Sequence, residues 1–215
     1  MILAIDTGGG AHASVAVLDH AGQLTETHLY APDGHSSELF DAIAALLDRA
    51  GVGLAEIECF AAASGPGSFT GVRVALSAAK GLAATLDRPM VAVSTLRALA
   101  WFGSAPWRAV IADGRRGDIF GAVFNAELEP VLTESLTRLD VFLAALPAGA
   151  ERITAGDAIA VPAPVLTVAP QHLARAVAHL ARRAFEAGQA VDPATVDANY
   201  IRSSDAELHW TDRAG

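Results

Sequence analysis

Cysteine is nearly absent from this 215-residue chain, Cys59 being the only one. One thiol cannot close an internal disulfide, and it excludes a Cys-rich zinc centre. Lysine is as scarce, with Lys80 alone. Basic residues total 15 against 24 acidic ones, a formal charge of -9. So acidic a chain is a poor match for a nucleic-acid backbone, whose grip needs clustered Lys and Arg, although a local basic patch or a basic partner stays open. Aromatic residues make up 6% and charged residues 18%, but hydrophobic residues reach 52%, enough for a buried core and too many for a disordered chain. No apolar run approaches the roughly 20 residues of a membrane span. The start, Met1-Ile2-Leu3-Ala4-Ile5-Asp6, lacks a charged region before its apolar stretch and reads as structure rather than as a signal peptide. The expectation is a soluble, reducing, cytoplasmic setting and one large domain or two small lobes.

The order of elements is legible from pattern. Met1 to Asp6, Ser14 to Leu18 and Leu24 to Tyr30 read as three strands of an antiparallel meander. Ser36 to Ala50 switches to helical spacing, with Leu39, Ile43, Leu46 and Leu47 on one face, and Gly51 stops it. Ile57 to Ser64 is a strand, Thr70 to Leu86 a second helix and Met90 to Val93 another strand. The second half starts again: Arg108 to Asp113 echoes Ile2 to Asp6, and Asp118 to Asn125 echoes Ser14 to Leu18. Short elements follow at Leu139–Leu146, Arg152–Thr154 and Val165–Val168, then a long helix from His172 to Ala187. The duplication predicts an α/β fold of two related lobes, residues 1–104 and a smaller 105–215 whose C-terminal tail returns toward the first lobe.

Two loops could hold a phosphate. Asp6-Thr7-Gly8-Gly9-Gly10 follows the first strand, and its glycines would let backbone N–H groups converge on an anion beside a metal-bound water held by Asp6. The same residues also suit a tight hairpin capped by Asp6. Gly65-Pro66-Gly67-Ser68-Phe69-Thr70-Gly71 lies between a strand and a helix, where anions bind, but no Gly-Lys-Ser/Thr follows it. An ordinary connection capped by Ser68 or Thr70 fits it equally.

The Thr70–Leu86 helix is apolar or small around most of its circumference, apart from a stripe of Arg73, Ser77 and Lys80. Either its own domain buries it all round, or a second face is left for a partner. Ala75, Ala78, Ala79 and Gly81 would let a partner helix approach closely. Phe40 and Ala44 are spare apolar residues on the preceding helix, so two helices offered to two would make a four-helix seam.

Catalytic constellations are scarce. No His-Glu-x-x-His, His-x-x-x-His or Gly-x-Ser-x-Gly occurs, which speaks against a helix-borne metal site and a hydrolase elbow. His172 and His179 read as surface residues, Cys59 as a small buried hydrophobe, and Arg115-Arg116 between Asp113 and Asp118 as a charged turn.

Several segments carry a family resemblance. Ile2-Leu-Ala-Ile-Asp-Thr7, His35-Ser36 with Glu38-Leu39, and above all Gly65-Pro-Gly-Ser-Phe-Thr-Gly-Val-Arg-Val-Ala-Leu76 resemble the bacterial TsaB (YeaZ) family of tRNA threonylcarbamoyladenosine biosynthesis. Ser94-Thr95-Leu96, Asp113-Gly-Arg-Arg-Gly117 and Tyr200-Ile201-Arg202 add to it, while Gly8-Gly9-Gly10 is more glycine-rich than the usual opening. The resemblance implies an actin-like fold of two RNase-H-like lobes. It also implies an accessory subunit, itself no enzyme, that partners a larger paralogue, TsaD. TsaD transfers threonylcarbamoyl to N6 of the adenosine beside the anticodon, and a small ATPase, TsaE, binds the pair. Expected partners are therefore a TsaD-type protein, a TsaE-type ATPase and a second copy through the same helices, with tRNA reached only via the complex. No cofactor is expected, except ATP or ADP at a complex interface. The interface expectation names His35, Ser36, Phe40 and Ala44, then Phe69, Thr70, Arg73, Val74, Ala78 and Gly81. The alternative is an active ATPase or small-molecule kinase holding Mg-ATP with Asp6, Thr7 and Asp113.

Overall fold

The computed structural model describes residues 1–31, 38–155, 161 and 166–201. Strands β1 (Ile2–Gly9), β2 (His12–Leu18) and β3 (Leu24–Tyr30) form the antiparallel meander. β4 (Cys59–Ala63) joins β1 in parallel and β5 (Met90–Val93) joins β4, giving the order β3-β2-β1-β4-β5. The second sheet holds β6 (Arg108–Arg115), β7 (Asp118–Phe124), β8 (Pro130–Arg138), β9 (Glu151–Ala155) and β10 (Leu166–Ala169). Its order, β8-β7-β6-β9-β10, repeats the first sheet strand for strand. The correspondence reaches local detail: the register shifts after Asp6 in the first hairpin and after Asp113 in the second. Fold class and duplication are thus as the sequence implied.

Helices α1 (Leu39–Ala50) and α2 (Phe69–Thr85) cover the outer face of the first sheet, sharing a core with Leu3, Ile5, Val15 and Phe60. Helices α3 (Thr95–Ala100) and α5 (Ala174–Glu186) lie between the sheets, in a core that runs from Ala4 and Ala61 to Val110 and Ala122. Helix α4 (Leu139–Ala144) covers the far face of the second sheet. β1 is an almost unbroken apolar run because it is covered on both faces, whereas edge strand β3 alternates Thr and polar residues. Helix α1 ends where Gly51 turns left-handed at φ 66°, a conformation glycine adopts at no steric cost. Among the described residues no helix is long and apolar enough to cross a membrane.

Two elements escape the sequence pattern, β8 and α3. Helix α3 is too short for a periodicity to emerge, and β8 begins at Pro130 and mixes Thr, Glu and Arg along its length. The segment after α5 runs back past the first sheet. Val191 pairs with Met90 as a single bridge, and a 3-10 turn at Pro193–Thr195 packs on α2.

The structure corrects the expectation that α2 keeps an uncovered small-residue flank. Ala75, Ala79 and Ala83 are wholly buried and Ala78 is 6% exposed, all within a core that α2 shares with the first sheet and with Val196 of the returning segment. Of the small residues offered to a partner only Gly81 is exposed. A charged residue at Ala78 or Ala79 would therefore test folding, not docking.

Candidate functional site

The two glycine loops meet each other. The Ser68 N–H donates to the Gly8 carbonyl at 2.9 Å, and the Thr7 hydroxyl donates to the Gly71 carbonyl at 2.5 Å. A methyl group on Gly71 would sit 1.9 Å from the Thr7 carbonyl oxygen, and one on Gly67 would sit 2.9 Å from that of Gly8. The glycines are there for backbone-to-backbone approach, so part of the space a phosphate would need is filled by the opposite loop. Ser68 caps α2 by accepting from the Gly71 N–H at 3.3 Å, as the sequence allowed.

Asp6 and Thr7 are fully buried. Asp6 accepts from the Gly8 N–H at 3.0 Å and, through its other oxygen, from the Leu173 N–H at 3.2 Å. The Ser14 hydroxyl accepts from the Ala174 N–H at 3.0 Å. Asp6 and Ser14 thus serve the first N–H groups of α5, where a negative charge is favoured by the helix dipole. Asp113 is exposed on the second sheet and accepts from the Arg115 N–H at 2.8 Å, closing a turn in which Arg115 and Arg116 have positive φ. The three kinase candidates therefore divide into a buried helix anchor with its loop partner and an exposed turn.

The wet side of α2 carries a different constellation. Phe69 is 46% exposed, and Thr70, Arg73, Ser77 and Gly81 are exposed with it, while Val74 is half-buried. Phe69, Thr70, Arg73, Val74 and Ser77 line a shallow depression of about 290 Å³. The Arg73 guanidinium lies 3.6 Å over the Phe69 ring, and its Nε donates to the Tyr200 hydroxyl at 2.9 Å. The two rings stand 6.0 Å apart, and the guanidinium contacts both, lying 5.7 Å from the Tyr200 centroid. On α1, Phe40 is 53% exposed and Ala44 is exposed, as expected of a spare apolar face. His35 and Ser36 lie outside the described residues.

Sequence reasoning missed two clusters because their members are distant in the chain. His12, His28 and His172 converge at the start of α5, with ring centroids 5.3 Å apart for His12–His172 and 4.0 Å for the parallel pair His28–His172. Burial, and then the neighbouring His28 and His12, hold the His172 imidazole below its ordinary range, against the pull of Glu26. Among the described residues no group of His, Cys, Asp or Glu is arranged to hold a metal ion. The second cluster joins the lobes: the Ser94 hydroxyl and the Asn199 amide both donate to the Glu134 carboxylate, the latter at 2.6 Å. Cys59 is buried, and that burial pushes its thiol up to about 12, which leaves it protonated and unreactive at neutral pH.

Comparison with known proteins bears on this arrangement. A family model described as tRNA N6-adenosine threonylcarbamoyltransferase, TsaD, matches residues 29–193. The tRNA threonylcarbamoyladenosine biosynthesis protein TsaB of Escherichia coli is 35% identical over 130 residues, which span 59% of this chain and 55% of that protein. Its Bacillus subtilis namesake is 34% identical over 138 residues, 62% of this chain and 60% of that protein. The chain thus spans little more than half the length of these two relatives. The solved structure of YeaZ from Pseudomonas aeruginosa superimposes with a TM-score of 0.79 at 28% identity, over 93% of this chain and 98% of that one. With the duplicated sheets and the matched segment taken together, the chain belongs to the TsaD family; relatives named TsaB and relatives named as the transferase both match it, the transferase of Novosphingobium aromaticivorans at 34% identity over 43% of this chain and 29% of that protein, and the solved structure that it matches along most of both chains is a YeaZ.

Proposed function

We propose that this chain is a non-catalytic accessory subunit in the formation of N6-threonylcarbamoyladenosine in tRNA, docking through the α1–α2 face onto a TsaD-type catalytic relative. The observation that carries the reading is that face itself: Phe40, Ala44, Phe69 and Gly81 are exposed on two helices of one outer layer. Aromatic residues are enriched at protein interfaces, which favours this face over one without them. The relatives' names supply the process. Burial of Asp6 and Thr7 in the α5 anchor and the loop-to-loop contact supports a chain without nucleotide turnover of its own. In this reading a TsaE-type ATPase joins the pair, and ATP or ADP enters only at an interface of the complex. tRNA is reached through the partner, the setting is cytoplasmic, and a second copy of the chain takes the same face when the partner is absent.

Co-expression with the TsaD-type protein of the same genome, read by size exclusion with light scattering, tests it. A stable complex is expected, lost in Phe40→Asp while the thermal melt of the isolated chain, taken at a dilution where it is monomeric, is kept. Complex formation indifferent to Phe40→Asp counts against this face. Titration calorimetry of the isolated chain with Mg-ATP is expected to be flat; binding with turnover would return the small-molecule kinase.

A further inference from the structure

Resting on the docking reading above, we infer that Arg73 is a preset receptor for a carboxylate, an Asp or Glu side chain that the TsaD-type partner presents to the α2 depression. A guanidinium has five N–H donors, and only Nε is engaged, by the Tyr200 hydroxyl at 2.9 Å. No other hydrogen bond and no ion pair claims Arg73 among the described residues, although the chain is acidic overall with 24 carboxylate residues. The remaining four donors belong to the two Nη atoms, which form the edge that matches a carboxylate bidentately.

Position and rigidity follow from the same contacts. Stacking 3.6 Å over Phe69 and bonding to Tyr200 fix the plane of a side chain that is ordinarily among the most mobile on a surface. The rotamer entropy is therefore largely lost before docking, which is how a preorganised group strengthens binding. Phe69 and Val74 give the depression an apolar rim, and an ion pair gains strength as water is excluded around it. A protein carboxylate is favoured over a nucleic-acid phosphate because Arg73 and Lys80 are the only basic residues of α2 and a phosphate backbone is gripped by several cations together. Tyr200 thereby becomes a positioning residue, placing the arginine through its hydroxyl from far along the chain.

The test measures affinity of the full chain for the co-expressed TsaD-type protein by calorimetry at several salt concentrations. Arg73→Lys keeps the charge but loses the planar fork, and is expected to weaken binding about tenfold or more, as is Arg73→Ala, while Tyr200→Phe weakens it a few-fold. Arg73→Ala should also flatten the salt dependence. Charge reversal in Arg73→Glu should be rescued by an Asp or Glu to Arg change on the partner. If wild type binds, Phe40→Asp abolishes binding and Arg73→Lys equals wild type, the receptor is overturned while the docking reading stands. If wild type does not bind the TsaD-type protein at all, both fall. Arg73-dependent binding of the isolated chain to tRNA, or Arg73-dependent self-association without an effect on the partner, would overturn the assignment to a partner carboxylate.

Discussion

Gly81→Glu separates docking from folding. Gly81 lies inside α2 on its wet side, and a methyl group built there meets nothing within 4 Å. Glycine in a helix interior costs about 1 kcal/mol relative to alanine and glutamate only a few tenths, so the substitution should stabilise the isolated chain by roughly 0.5 kcal/mol. For a domain of this size that is about 1–2 °C in Tm. The same carboxylate, carried into an apolar contact without a partner, costs roughly 2–3 kcal/mol, or about 30- to 150-fold in affinity. Differential scanning fluorimetry of the isolated chain, at a dilution where it is monomeric, and calorimetry with the TsaD-type protein read the two effects side by side. A raised Tm with undiminished affinity refutes α2 as a docking surface. A lowered Tm refutes the placement of Gly81 in solvent.

Two further outcomes are expected. Gly71→Ala forces the Thr7 and Gly71 backbones apart, because its methyl group would stand 1.9 Å from the Thr7 carbonyl oxygen; a loss of several kcal/mol in urea unfolding is expected, and a midpoint like wild type would refute the loop-to-loop contact. Stability should also fall with acid. Burial depresses the imidazoles of His172 and His179, aided at His172 by His28 and His12 and at His179 by Arg175 and Arg182, so the folded state binds protons less readily than the unfolded chain. Stability is then fully present above about pH 6.5, the ordinary imidazole value, and declines as the pH drops below it. Urea midpoints at pH 7.5, 6.5 and 5.5 check this, and His172→Asn should lessen the decline; a variant as acid-sensitive as wild type would sink the assignment to His172.

The sequence made the duplication legible because β1 and β6 are covered on both faces, so each is an apolar run closed by an aspartate and a glycine-bearing turn. The exposed Phe40 was legible too, as an apolar residue beyond the stripe that one sheet can bury. The covered flank of α2 was not. The turn at Pro193–Thr195 and the buried Val196 reach it from more than a hundred residues away, and composition cannot distinguish an alanine covered by a remote segment from one left bare. The histidine cluster stayed hidden for the same reason, His172 meeting His12 and His28 only when α5 docks on the first sheet. Tyr200 gave a motif but no hint that its hydroxyl would find Arg73.

The anchoring of α5 by Asp6 and Ser14 also bears on how the protein is born. Asp6 is synthesised 167 positions before Leu173, whose N–H supplies one of its hydrogen bonds. Until then the inner side of the first sheet lacks its lid, and the Asp6 carboxyl has the Gly8 N–H but not that of Leu173. An emerging chain must therefore wait, half-clad, across that whole interval, and the early lobe has reason to need shelter during synthesis.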